Sequence, residues 1–285
     1  MLSGFFQKMK FNFNWQLWRA MMNYALPVLV AGVAFSINEA IDRLFLERML
    51  PAEIAKEQIG IYTACYKLGM FMTLFATAFR LGIEPFFFSH ASSKNPKNAY
   101  ALITKYFVII GAAILLLVMV FINPLKELII RDESYWEAMK VVPIILLANL
   151  FLGIYHNFSV WYKITDKTKY GAYISSFGAL STILLNLWLI PIIGYLGSAL
   201  ATLFAYFSMA VLSYFIGKKH YAVPYSMGKI IAYLSVSVLF SVLSFYVFSE
   251  NYYVGIAFIL VFLSIIYAFE KQELYRLINT KTNEN

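Results

Sequence analysis

Six ionisable side chains sit where the chain is otherwise apolar. Glu39, Asp42 and Arg43 fall inside the run 20–46, and Lys67, Arg80 and Glu84 inside the run 59–87. Formal charge at membrane depth is unfavourable, so such residues are candidate functional positions by default. Glu39 precedes Arg43 by one helical turn, the order that favours an ion pair, and Asp42 stands on nearly the same face. Arg80 and Glu84 repeat that spacing. The chemistry these types can do is binding and charge compensation: cations to hold an anion, carboxylates to orient the cations or to take a coupling ion. The bland alternatives are that Arg43 and Lys67 snorkel to the interface, or that the two pairs only staple helices together.

Bond-making chemistry has little to work with. His90, His156 and His220 lie far apart, without the spacing of a metal site. His156 reads as a satisfied polar residue beside Asn157. There is no glycine-rich phosphate loop, no serine nucleophile elbow and no pair of carboxylates in a loop. We therefore expect no enzyme, no cofactor and no metal.

The elements that carry these charges follow from composition. Of the 285 residues, 61% are hydrophobic and 13% charged; a soluble domain carries about 25% charge. So few polar residues cannot cover a water-exposed surface, so the chain is a polytopic membrane protein. A spanning helix needs about 20 apolar residues. The runs 20–46, 59–87, 104–125, 140–162, 170–191, 195–217, 229–249 and 252–269 qualify, giving an all-α bundle of about eight transmembrane helices. The stretch 170–217 contains no Asp, Glu, Lys or Arg. It is too long for one span, and Pro191, Gly194 and Gly197 supply the break of a tight helical hairpin. Pro27, Gly32, Gly69, Gly82 and Pro85 suggest kinks in the first two helices. The lone Cys65 excludes an intrachain disulfide.

Charge orders the loops. With the N-terminus in the cytoplasm, Lys8, Lys10, Arg19, Lys94, Lys97, Lys105, Lys163, Lys167, Lys169, Lys218, Lys219, Lys229, Lys271, Arg276 and Lys281 fall on the cytoplasmic side. The far side is acid-leaning and holds few cations (Arg48, Lys56, Lys126, Arg131 and Lys140). This is the positive-inside pattern, and it puts both termini in the cytoplasm. The net charge of +8 belongs to these loops rather than to a nucleic-acid surface. Segment 1–19 mixes aromatics with cations, as an interfacial helix does. Four segments are expected: 1–19 interfacial, 20–217 a six-helix body, 218–269 two further helices after a basic loop, and 270–285 a polar tail. In this register Lys67 lies about 12 Å below the outer end of its helix, level with Glu39, while Arg80 and Glu84 lie toward the cytoplasm.

Three stretches resemble a known family. They are Tyr24-Ala25-Leu26-Pro27 with Asp42-Arg43; Ile59-Gly60-Ile61-Tyr62 with Tyr66-Lys67 and Glu84-Pro85-Phe86-Phe87; and Asn186-x4-Pro191-x2-Gly194-x2-Gly197-Ser198-Ala199-x-Ala201-Thr202. Together they span most of residues 20–220. They are similar to oligosaccharide-lipid flippases of the multidrug/oligosaccharidyl-lipid/polysaccharide exporter superfamily, of the bacterial O-antigen type. The resemblance implies two helical lobes around a central cavity, alternating access, and an undecaprenyl-pyrophosphate-linked oligosaccharide as cargo for polysaccharide or lipopolysaccharide biosynthesis at the inner membrane. It implies that Asp42, Arg43 and Lys67 occupy motif positions. It also implies that six helices precede the one at 20–46, so the chain is expected to be the second lobe. The expected partners are then the lipid-linked glycan, membrane lipid, and a separate first lobe or polysaccharide polymerase components. Two other readings stand beside it: a cation or drug antiporter that uses Glu39 and Asp42 as its ion site, and a non-transporting partner lobe.

Overall fold

The structure is a computed structural model that describes residues 13–91, 93, 95–130, 132–249 and 251–282. Residues 1–12 of the expected interfacial segment, and Lys94 and Arg131 of the charged loops, lie outside the described residues. The described chain is helical, in the order α1 (Trp15–Met49), α2 (Ala52–Ser89), α3 (Pro96–Val120), α4 (Ile122–Ile129), a 3-10 segment (Glu133–Val141), α5 (Val142–Phe158), α6 (Val160–Ile164), α7 (Lys169–Ile193), α8 (Tyr195–His220), α9 (Met227–Tyr246) and α10 (Tyr252–Thr282). Eight helical segments are long and apolar enough to cross a membrane among the described residues, and they coincide with the eight apolar runs. The protein is a multi-pass membrane protein.

Local chemistry sets the boundaries. The Asn14 side chain accepts the backbone N–H groups of Gln16 and Leu17 at 3.0 and 3.1 Å and starts α1 as an N-cap. Pro96 stands in the first turn of α3, where its missing N–H is harmless. The third span starts and ends earlier than expected: α3 runs from Pro96 to Val120, and the chain then turns into the amphipathic α4. The fourth run is a composite of the 3-10 segment, α5 and α6. Pro191 lies inside α7, and the hairpin turns at Gly194, whose φ of +60° favours a residue without Cβ.

The helices pack around α5, which touches α2, α3 and α8, while α7 pairs with α8 and carries α1 on its other side. Helix α9 rests on α3, and α10 closes against both. Small residues allow this proximity, as is usual between membrane helices. A Cβ on Gly153 would lie 2.2 Å from the Phe107 ring, and that ring stacks on Phe75 at 5.1 Å and meets Phe79. A Cβ on Gly178 would lie 2.3 Å from the sulfur of Met209, an unbranched side chain that can yield. We expect Gly153→Ala to lower stability by about 1–3 kcal/mol through overpacking, and Gly178→Ala to have a smaller effect. Thermal unfolding of the two purified variants in one detergent checks the ranking.

The expected tail is part of α10, and its first turns are anchored. Glu270, fully buried, receives Lys105 from α3 at 2.6 Å, Lys229 from α9 at 2.9 Å and the Tyr233 hydroxyl at 2.7 Å; Glu273 pairs with Lys105 as well. These bonds tie the last two helices to the third.

Candidate functional site

Contacts between loops define two ends of the bundle. Lys97 lies 4.6 Å over the Tyr221 ring, Tyr170 bonds His220 at 2.9 Å, and the Thr168 hydroxyl donates to the Tyr24 carbonyl at 3.1 Å. Lys97, Lys167, Lys169, Lys218 and Lys219 therefore share one basic end. Asp42 and Arg43 lie in the half of α1 remote from it.

Helix α1 buries a single stripe, Ala34, Asn38, Asp42 and Leu46, spaced four apart as one helix face requires. That stripe faces α7, and its polar members are bonded across helices. Asp42, 4% exposed, accepts the Tyr62 hydroxyl of α2 at 2.8 Å, the Thr202 hydroxyl of α8 at 2.8 Å and the Asn186 amide of α7 at 3.0 Å. Asn186 in turn accepts the Ser198 hydroxyl at 2.6 Å, and Asn38 accepts the Thr182 hydroxyl at 2.5 Å. One carboxylate thus gathers four helices, with no cation bonded to it among the described residues.

Glu39 is half-buried. It does not pair with Arg43 as the spacing predicts; it accepts the Tyr206 hydroxyl at 2.7 Å and the Tyr66 hydroxyl at 3.4 Å. Arg43 is exposed and lies 5.6 Å over the Tyr66 ring, a cation–π contact. The next residue on α2, Lys67, is exposed too. Lys67 thus follows in sequence the residue that bonds Glu39. Arg43 and Lys67 carry no carboxylate partner among the described residues.

Arg80 and Glu84 also part company. Glu84 bonds Lys163 of α6, a residue 79 positions away. The Arg80 Nε is buried without a hydrogen-bond partner among the described residues. Both line a narrow cleft of about 20 Å³ between α2 and α5–α6 that also contains His156, Asn157 and Lys163. His156 has an aromatic neighbour, Phe35, at 6.3 Å. The spacing of residues missed Tyr62, Tyr66, Asn186, Thr202, Tyr206 and Lys163. Hydroxyls and amides inside apolar runs were the available signal, because such groups seek partners on other helices.

Comparison with solved structures places this geometry. The chain matches the inward closed conformation of the lipid II flippase MurJ with a TM-score of 0.66 and 18% identity, over 92% of this chain and 57% of that one. It matches the outward-facing conformation of a multidrug resistance MATE family transporter of the MOP superfamily with a TM-score of 0.57 and 16% identity, over 78% and 52%. A MOP superfamily transporter from Pyrococcus furiosus gives 0.57 and 17%, over 79% and 52%. The chain spans a little over half the length of these structures. No curated protein matches its sequence significantly. The bundle therefore has the fold of MOP superfamily transporters. More specifically, the model of the MatE family matches residues 27–188, more than half of the chain, and the protein belongs to that family.

Proposed function

We propose that this chain is one lobe of a transporter that moves a lipid-linked oligosaccharide, carried on undecaprenyl pyrophosphate, across the bacterial inner membrane for cell-surface polysaccharide synthesis. In this reading both termini face the cytoplasm, which the basic end supports through the positive-inside rule. The observation that carries the reading is the pair Arg43 and Lys67. Both are exposed and lack a carboxylate partner among the described residues; Arg43 lies over the Tyr66 ring, and Lys67 is the residue after Tyr66 in α2. Unpaired cations in a spanning region need an anion from elsewhere, and a diphosphate supplies one. The likeness to a lipid II flippase supports a lipid-borne cargo. Only one stripe of α1 is buried, leaving Arg43 on a bare helix surface that a second lobe would face across the cavity.

Each residue then has a role. Arg43 and Lys67 bind the phosphates, and Glu39 positions Tyr66 beneath Arg43. Asp42 holds α1, α2, α7 and α8 together and is the candidate ion-coupling group, since its bonds come only from neutral donors. Outward movement of an anion under an inside-negative potential is favourable by about 2.3 kcal/mol per charge per 100 mV. A doubly charged cargo crossing the whole field gains about 4–5 kcal/mol, enough to drive the step without nucleotide hydrolysis.

The isolated Asp42 favours one second reading, a cation or drug antiporter with its ion site at that carboxylate. Cargo charge separates the two. In proteoliposomes holding this chain and its complementary lobe, a polyprenyl-diphosphate oligosaccharide should be translocated faster under an inside-negative potential, and organic cations should not be transported. Transport of organic cations without the glycolipid would establish the antiporter.

A further inference from the structure

We infer that the groove at the basic end, between the start of α3 and the end of α8, binds the headgroup of an anionic membrane phospholipid, with one acyl chain lying along α8. The groove has a volume of about 730 Å³ and is lined by Asn95, Lys97 and Asn98 at the start of α3, by Lys218 of α8, and by Pro224 and Tyr225 of the loop that follows. No carboxylate stands in its lining. Lys97 and Lys218 are exposed and bond no carboxylate among the described residues. A neighbouring cavity of about 410 Å³ shares Asn98 and Pro224 but differs in charge. Its lysines, Lys105 and Lys229, are already paired with Glu270 and Glu273. Of the two, the first groove alone has positive charge left for a ligand.

The walls of the groove are held from behind. The Tyr225 ring packs on Phe158 at 4.7 Å and lies 6.2 Å from Tyr214. Val223 rests on the cluster of Phe87, Tyr100 and Val160, and Lys97 lies 4.6 Å over the Tyr221 ring. A recess built in advance loses little to ordering when it is filled, and basic recesses between membrane helices suit anionic headgroups. What lies beneath Lys218 selects a lipid over a soluble anion. Phe207, Val211, Phe215 and Lys218 are three or four residues apart and share one face of α8. Phe207 and Phe215 are exposed on it. From Lys218 to Phe207 the helix rises about 16 Å, close to half of a hydrocarbon core of about 30 Å. The stripe is one leaflet deep with a cation at its head, the shape and charge of an acyl chain that ends in a phosphate. This site uses neither Arg43 nor Lys67.

The inference does not rest on the translocation reading, and its test involves no transport, so the two fail separately. The purified chain in maltoside micelles is titrated with palmitoyl-oleoyl phosphatidylglycerol, and native mass spectrometry counts the lipid retained. One phosphatidylglycerol per chain should be held about tenfold more tightly than phosphatidylethanolamine, and excess glycerol 3-phosphate should not displace it. Lys97→Gln combined with Lys218→Gln should weaken retention about tenfold or more. Both side chains are exposed, so the fold should survive the change. Lys167→Gln combined with Lys169→Gln, at the same basic end but outside the groove lining, should alter retention by less than about twofold. Phe215→Asn should weaken it about threefold through the lost apolar contact, an effect that a purely electrostatic surface would not show. Equal weakening by the two lysine pairs would reduce the site to a general basic surface and overturn the proposal. Equal retention of the two phospholipids, displacement by glycerol 3-phosphate, or tighter binding of polyprenyl phosphate than of phosphatidylglycerol would overturn it as well.

Discussion

Replacing Asp42 by alanine is expected to destabilise the bundle by about 2–4 kcal/mol. The carboxylate is the acceptor for Tyr62, Thr202 and Asn186. Asn186 keeps a second bond, to the Thr182 carbonyl at 2.8 Å, so its loss is partial. The Tyr62 and Thr202 hydroxyls would be left buried without that acceptor, at about 1–3 kcal/mol each. Measured interhelical hydrogen bonds in membranes are weaker, about 0.6 and at most 1.7 kcal/mol, which sets the lower figure. Asp42→Asn keeps the shape and one acceptor oxygen and should lose roughly half as much. It removes the charge, however, so it should abolish ion coupling while leaving the fold intact. Thermal unfolding of both variants measures the first effect, and transport against an imposed ion gradient the second. An unchanged unfolding midpoint for Asp42→Ala would show that the four helices do not depend on this carboxylate.

The same residue shows what the sequence could disclose. That α1 spans a membrane and carries charge in the half remote from the basic end was legible, because hydropathy and loop charge report on solvent and not on neighbours. The positions of eight spans followed from that property alone. Partners across helices were not legible. Periodicity tells which residues share a face of their own helix, so it paired Glu39 with Arg43 and Arg80 with Glu84. In the bundle, Tyr206 from α8 takes Glu39 and Lys163 from α6 takes Glu84; a neighbouring helix offers shorter contacts than an intrahelical pair strung along a surface. Glu270 makes the point from the other side. It reads as the first residue of a polar tail, yet it is fully buried between Lys105 and Lys229, because α10 continues past the apolar run and brings the acid onto α3. The breaks inside the third and fourth runs, at Phe121 and Ser159, were equally hidden, since a change of backbone geometry over one residue does not end an apolar run.

The largest functional effect is expected from Arg43 and Lys67. Both side chains are exposed, so truncation should alter stability by no more than about 0.5 kcal/mol. Their charge is what the cargo would use. Losing one cation from a two-cation phosphate site weakens charge-assisted hydrogen bonds that are each roughly twice as strong as neutral ones. Each alanine variant should therefore lower translocation at least tenfold, and the double variant should bring it to the background rate. Arg43→Lys, which keeps charge but loses the planar fork and most of the stacking on Tyr66, should retain an intermediate rate.

The translocation rate of a fluorescent polyprenyl-diphosphate oligosaccharide, in proteoliposomes containing this chain with its complementary lobe, tests the central claim most directly. Wild type, Arg43→Ala and Lys67→Ala are compared at matched amounts of inserted protein. The cavity-cation role predicts normal insertion with translocation at least tenfold slower in both variants. Translocation at the wild-type rate in both would contradict it.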